Sequence, residues 1–150
     1  MTVLYFAYAS NMAAEVMARL CPGHRVVGTA ELPDHRLAFT RRSVRTGTGV
    51  ADIVAADGQG VWGVLYRLDE AMLAAIDEKE GNGWAYRRDM VLVRRGGMEP
   101  EQAYAYSVIA PEPVEVRPSR EYLHRLVEAA RRRALPDEYV AALAAMWTPL

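Results

Sequence analysis

The first residues of the chain constrain its fold most strongly. Residues 2–8 form an apolar, β-prone run, and the tripeptide Ala9-Ser10-Asn11 separates it from residues 12–20, whose apolar spacing is helical. A strand, a tight turn and a helix are therefore predicted in immediate succession. Such a turn presents backbone N–H groups that can bind a carboxylate, a phosphate or a developing oxyanion. An ordinary capped helix is the alternative, because the sequence has neither a P-loop lysine nor a GxGxxG motif.

The remaining segments predict a mixed α+β protein. Strands are expected at residues 25–32, 35–40, 50–55, 61–68, 84–95 and 101–109, and helices at residues 69–80, 120–133 and 136–146. Asp57-Gly58-Gln59-Gly60 is typical of a hairpin turn, so residues 50–55 and 61–68 are expected to pair with each other. Pro33-Asp34 predicts another turn. Residues 84–95 and 101–109 should form a second hairpin around Gly96-Gly97.

Composition and charge narrow the class of protein. With 150 residues, 51% of them apolar and 25% charged, the chain is expected to fold as a single domain with its own core. A net charge of −1 gives no overall attraction to nucleic acid or to an anionic membrane, so neither is an expected partner. The lone Cys21 and the absence of a signal-like leader or an apolar spanning run favour a soluble, cytoplasmic protein. His24, His35 and His124 lack ligand spacing, so no metal site is expected.

A basic segment interrupts the predicted strands. Residues 41–49 read Arg-Arg-Ser-Val-Arg-Thr-Gly-Thr-Gly and show no periodicity, which indicates an exposed loop. Arginines in such a loop are most often simply solvated. A clamp for an anionic substrate tail is one alternative, and nucleic-acid binding with strong salt dependence is another.

The tetrapeptide Asp77-Glu78-Lys79-Glu80 places three carboxylates in the last turn of a predicted helix, which Gly81 ends. The negative end of the helix dipole and the neighbouring like charges disfavour ionisation there. Both effects raise a carboxylate pKa and suit it to general-base chemistry near neutral pH. A solvated acidic helix end is the alternative.

Tyrosines form a third candidate group. Core packing explains most tyrosines, but several phenols around one cavity could orient a small polar ligand. Ser10 has no GxSxG elbow or Ser-His-Asp partners, so a serine hydrolase is disfavoured. The candidates are Tyr86, Tyr104, Tyr106, Tyr122 and Tyr139.

Together, four segments resemble the γ-glutamylcyclotransferase family in order and spacing. The resemblance runs from Tyr5 to about Leu143 and implies a small mixed β-barrel-like sheet with surrounding helices. The first loop lacks the Tyr-Gly-Ser-Leu pattern of the glutathione-specific relatives. The four segments are Tyr5-Phe6-Ala7-Tyr8-Ala9-Ser10-Asn11-Met12, Val61-Trp62-Gly63-Val64, Asp77-Glu78-Lys79-Glu80-Gly81 and Leu135-Pro136-Asp137-Glu138-Tyr139.

The resemblance implies a reaction without a cofactor. The α-amine of a γ-glutamyl group attacks its own side-chain carbonyl and gives 5-oxoproline and a free amine, which could be an amino acid or another amine, such as an acylated natural product. Glu80 matches the general acid/base position. The matching substrate-binding positions are Tyr5, Phe6, Ala7, Tyr8, Ala9, Ser10 and Asn11 in the loop, and Tyr86, Tyr106 and Tyr122 around the pocket.

Ala9 departs from the family pattern, which usually has glycine there. An alanine would be strained if the position needed a positive φ, and its methyl group would narrow the substrate cradle. A non-catalytic small-molecule binding or interaction module of the same fold is therefore the alternative function. The presence of Glu80 favours an enzymatic function, whereas alanine at position 9 favours the non-catalytic module.

Overall fold

The computed structural model describes residues 1–147 and has a mixed α+β architecture, as predicted. Within these residues, no helix is both long and apolar enough to cross a bilayer. The elements in chain order are β1 (Thr2–Ala7), a 3-10 helix (Ser10–Met12), α1 (Ala14–Leu20), β2 (Arg25–Arg42), β3 (Gly49–Asp69), α2 (Glu70–Glu80), β4 (Tyr86–Val93), β5 (Glu101–Val108), α3 (Arg120–Arg132) and α4 (Asp137–Ala144).

The five strands form one sheet in the order β2-β3-β1-β5-β4. Only β1 and β5 are parallel, and the other neighbouring pairs are antiparallel. The sheet curls so far that Glu31 of β2 and Arg94, just after β4, exchange two backbone hydrogen bonds of 2.9 Å. A single bridge does not close a barrel. The predicted mixed, barrel-like sheet with surrounding helices is thus confirmed in an open form.

Strand β1 lies in the middle of the sheet, and its second half is buried there. Tyr5 and Phe6 are buried, and Tyr5 packs between Tyr66 of β3 and Tyr106 of β5, with ring centroids 6.1 and 5.8 Å away. Aromatic pairs at these separations add to the stabilisation from area burial alone. The loop that follows β1 therefore starts from a rigid point in the core.

The predicted hairpin at residues 57–60 is wrong, and so is the predicted turn at Pro33-Asp34. Strands β2 and β3 instead run past these points as one long antiparallel ladder. The turn residues sit in a bulge, where the ladder jumps from Pro33↔Gly60 to His35↔Ala55. Asp34 adopts φ 60°, and its carboxylate accepts a 3.0 Å hydrogen bond from the Gly58 N–H. Residue types that favour turns therefore occur here in a bulge, because a bulge can require the same left-handed backbone conformation as a turn.

The helix ends follow the predicted caps. Asp69 accepts a hydrogen bond from the Met72 N–H at the start of α2, and Ser119 accepts one from the Tyr122 N–H at the start of α3. Gly81 ends α2 with φ 68°, a conformation that glycine adopts without strain. The predicted first helix is divided, with a 3-10 turn at Ser10–Met12 before α1. Residues 41 and 42 belong to β2, so the basic loop is shorter than predicted and covers residues 43–48.

Candidate active site

A cavity of about 230 Å³ opens where the loop after β1 meets the end of α2. The predicted residues Tyr5, Tyr8, Ala9, Ser10 and Asn11 line one side of it. The remaining lining residues come from strands β2 to β5, the end of α2, the connection that follows it and the first turn of α3: Arg41, Val50, Ala51, Lys79, Glu80, Trp84, Ala85, Tyr86, Tyr106 and Tyr122.

Two residues of the predicted loop set do not line this cavity. Phe6 and Ala7 are 0% and 1% exposed and belong to the core. Tyr104 and Tyr139 also lie outside the cavity lining, whereas Tyr86, Tyr106 and Tyr122 are part of it. The structure therefore brings together eight of the ten substrate-binding positions implied by the resemblance, along with Glu80.

Glu80 is the last residue of α2, and its side chain lines the cavity. Within residues 1–147, its carboxylate forms no side-chain hydrogen bond and no ion pair. Burial raises the pKa of Glu80 above its ordinary value, and the positive charge of Lys79 opposes that rise. Glu80 is therefore a half-buried cavity carboxylate without a side-chain partner among the described residues.

Asp77, one helical turn earlier, is in the opposite situation. Its carboxylate pairs with the Arg88 guanidinium of β4 at 2.5 Å and accepts a 2.6 Å hydrogen bond from the Tyr106 hydroxyl of β5. Burial and the hydrogen bond to Asp77 raise the pKa of Tyr106. Asp77 thus joins the helix to the sheet and holds the Tyr106 ring at the cavity wall.

Lys79 connects the helix end to the loop after β1. Its ammonium group donates hydrogen bonds to the Ser10 hydroxyl at 3.2 Å and to the Asn11 side-chain oxygen. The Asn11 amide nitrogen donates in turn to the Tyr5 hydroxyl at 2.9 Å. These bonds form a continuous polar chain from α2 to β1 along one wall of the cavity. Lys79 was not among the predicted site residues, although it directly precedes Glu80.

The loop after β1 offers several unused donors. Within residues 1–147, the backbone N–H groups of Ala9, Ser10 and Asn11 make no hydrogen bond. The Tyr5 hydroxyl accepts a hydrogen bond from the Asn11 amide, and its own proton has no acceptor within the same residues. Burial and the nearby Glu80 charge raise the pKa of Tyr5 well above its ordinary value, so it remains a protonated donor. Groups of this kind can stabilise negative charge on a ligand.

Ala9 has φ −133°, so its backbone is not in the left-handed region that favours glycine. The strain considered from the sequence is therefore absent. Ala9 still lines the cavity, so the narrowed cradle remains a prediction.

Two phenols on the opposite wall bind the backbone of Ala51. The Tyr86 hydroxyl donates to the Ala51 carbonyl at 2.7 Å, and the Tyr122 hydroxyl accepts from the Ala51 N–H at 3.0 Å. Tyr86 is left with acceptor lone pairs, whereas Tyr122 keeps its proton to donate. Burial raises the pKa of Tyr122 to about 12, so the phenol stays neutral at physiological pH. Ala51 could not be recognised from the sequence because only its backbone takes part.

Trp84 and Arg41 lie at the rim of the cavity. Trp84 is 71% exposed, and the Arg41 guanidinium lies 5.5 Å from its ring centroid. Arg41 came from the basic segment noted in the sequence, but it lies in β2 and not in a loop. The part of the chain that the structure describes has no group of three His, Cys, Asp or Glu side chains able to hold a metal ion.

Comparison with known proteins identifies the class of protein to which this sheet topology and the cavity around Glu80 belong. Residues 60–143 match the AIG2-like family, and the chain belongs to that family. Its relatives include the mouse γ-glutamylcyclotransferase, 29% identical over 97% of this chain and 79% of the relative. The human γ-glutamylcyclotransferase is 28% identical over 95% of this chain and 78% of the relative.

The fold matches a solved structure of the same activity class. A γ-glutamyl cyclotransferase structure superposes with a TM-score of 0.91 and 28% identity, covering 100% of this chain and 90% of the other. The resemblance read from the four sequence segments is therefore confirmed.

Proposed function

We propose that this protein is a γ-glutamylcyclotransferase, which converts a γ-glutamyl amine to 5-oxoproline and the free amine. The relatives that carry this name span most of the chain. The main support for the proposal is one observation. The Glu80 carboxylate has no side-chain partner within residues 1–147, and it lies in a cavity that hydrogen-bond donors also line. No cofactor is required, because nucleophile and electrophile belong to the same substrate molecule.

In the proposed reaction, Glu80 accepts a proton from the substrate's α-ammonium group. The neutral amine then attacks the γ-carbonyl carbon, forming the C–N bond of a five-membered ring. As the tetrahedral intermediate collapses, the C–N bond to the leaving amine breaks, and Glu80 returns the proton to that nitrogen. The ring nitrogen then loses its extra proton through Glu80 to the released amine, which departs as an ammonium ion and leaves Glu80 ionised. An α-amino group has a pKa of roughly 8 and an ordinary glutamate about 4.3, so the raised pKa of Glu80 narrows the gap between donor and acceptor.

The other lining groups suit binding and charge stabilisation. We propose that the free N–H groups of Ala9, Ser10 and Asn11 donate hydrogen bonds to the substrate carboxylate or to the oxyanion of the tetrahedral intermediate. The Tyr122 and Tyr5 hydroxyls supply further donors, and Tyr86 and Tyr106 also line the cavity. Because the cavity draws on all five strands, α2 and α3, we infer that residues 1–150 act as one domain.

The cellular setting follows from the same proposal. We propose a small-molecule γ-glutamyl substrate as the partner, with no role for nucleic acid or a membrane. We also propose a cytoplasmic location, because the single cysteine, Cys21, is a free, buried thiol.

The proposal is tested by incubating the protein with a panel of γ-glutamyl amino acids and amines. Chromatographic detection of 5-oxoproline together with an equal amount of free amine is the expected result. Binding of panel members without any 5-oxoproline would instead support the non-catalytic module of the same fold.

A further inference from the structure

A second cavity of about 190 Å³ adjoins the candidate active site and has no part in the function proposed above. We call it the arginine pocket, because Arg45 of the loop at residues 43–48 and Arg125 of α3 line it. It shares Ser10, Val50 and Tyr122 with the active-site cavity. The two cavities are therefore neighbours, and these three residues lie between them.

The charge in the arginine pocket is uncompensated. Among the residues that the structure describes, none that lines this pocket is acidic. Within residues 1–147, neither Arg45 nor Arg125 forms an ion pair. The planar guanidinium group matches the two oxygens of a carboxylate, so two such groups in one recess favour an anionic ligand.

The loop that carries Arg45 is held in a defined shape. The Ser43 hydroxyl accepts a 3.3 Å hydrogen bond from the Arg45 N–H, and the Thr46 and Thr48 hydroxyls are 2.7 Å apart. Arg42 donates to the Gly47 carbonyl at 2.7 Å. These bonds reduce the entropy lost when a ligand orders the loop, which favours recognition over mere solvation.

We propose that the arginine pocket binds an anionic group on the leaving amine, so that the preferred substrates are γ-glutamyl derivatives of dicarboxylic amino acids. This inference rests on the proposed function and names its substrate class. In this assignment the γ-glutamyl group occupies the cavity at Glu80, and Arg41, which lines that cavity, pairs with the carboxylate found in every amino acid leaving group. Arg45 and Arg125 then accept the second carboxylate, which only a dicarboxylic leaving group supplies. A neutral or acylated leaving amine would leave both arginines without a partner.

The test compares γ-glutamyl-glutamate with γ-glutamyl-glutamine, which have the same shape and differ by one carboxylate. We expect kcat/KM to be about fivefold or more higher for the glutamate substrate, the scale of one partly exposed ion pair. The preference should shrink to within about twofold in the Arg45→Gln/Arg125→Gln protein, because the charged partners are gone. Arg67→Gln is the matched control, because Arg67 is exposed near the other end of β3 and should leave the preference intact.

Isothermal titration of both substrates into Glu80→Gln protein separates this proposal from the proposed function. If the wild-type protein forms no 5-oxoproline from either substrate, the proposed function fails. Tighter binding of the glutamate substrate, lost when both arginines are replaced, would still support the arginine pocket. Equal kcat/KM and equal affinity for the two substrates, or a preference that survives in the double variant, would overturn it.

Discussion

Asp77 and Glu80 lie one helical turn apart at the end of α2, and the two carboxylates have opposite surroundings. Asp77 is occupied by Arg88 and Tyr106, whereas Glu80 lines a cavity and has no side-chain partner within residues 1–147. Both experience the same end of the helix dipole. The difference therefore comes from β4 and β5, whose side chains reach Asp77. An acidic helix end thus becomes a candidate catalytic site only where the sheet leaves one carboxylate unpaired.

Replacing the free carboxylate should have the largest effect on activity. Glu80→Gln is expected to lower 5-oxoproline turnover about a hundredfold or more, as for loss of a general base, while the fold is kept. Circular dichroism and steady-state kinetics measure both. A correctly folded Glu80→Gln protein with near-wild-type turnover would remove Glu80 from the mechanism and leave Asp77 and Glu78 as candidates.

Lys79 should alter the environment of the free carboxylate. Its charge lowers the pKa of Glu80, so Lys79→Met should raise that pKa and move the acidic limb of kcat/KM to higher pH. The sign follows because the general base acts in its ionised form. Turnover near pH 6 should fall several-fold while turnover near pH 8 changes less. Lys79→Arg keeps the charge and should keep the limb in place, and an unmoved limb in Lys79→Met would contradict the coupling.

Replacing the occupied carboxylate should affect stability more than chemistry. Asp77→Asn removes the ionic partner of Arg88, and we expect it to cost about 1–3 kcal/mol of unfolding free energy in urea titrations. Turnover should stay within about tenfold of wild type, because Asp77 acts on the cavity only through Tyr106. An Asp77→Asn protein that lost as much activity as Glu80→Gln would contradict the different roles proposed for the two carboxylates.

The smallest effect is expected at Ala9, which lines the same cavity as Glu80. Because φ is −133°, glycine relieves no strain there, and Ala9→Gly should cost about 0.4–1 kcal/mol of stability through the unfolded chain. Loss of the methyl group widens the cradle, so kcat/KM should rise by less than about tenfold, a fraction of one oxyanion donor. Thermal melts and kinetics on one substrate panel measure both. An unchanged kcat/KM would show that the methyl group is tolerated.

The sequence predicted the position of Glu80 because local rules determine it. Asp69 caps α2, Gly81 ends it, and these two residues fix Glu80 in the last turn. The free state of Glu80 could not be predicted in the same way. It depends on Arg88 and Tyr106 pairing with Asp77, and these contacts come from strands later in the chain.

The same distinction explains the error in the sheet. The residue types of Asp57-Gly58 are typical of a hairpin turn. In the structure, Gly58 is hydrogen-bonded to Asp34 of the neighbouring strand, and these residues form a bulge in the β2–β3 ladder. Long-range pairing overrode the local signal. Likewise, the role of Ala51 rests on its backbone, which no side-chain pattern reveals.

We propose that Glu80 is a cavity carboxylate whose raised pKa lets it act as the base. Carbon-13 NMR of glutamate-labelled protein, with the Glu80 signal assigned by its absence in Glu80→Gln, measures that pKa directly. We predict a value above the ordinary value of about 4.3 that coincides with the acidic limb of kcat/KM. A Glu80 that titrates at or below the ordinary value, or a limb that does not follow it, would contradict the claim.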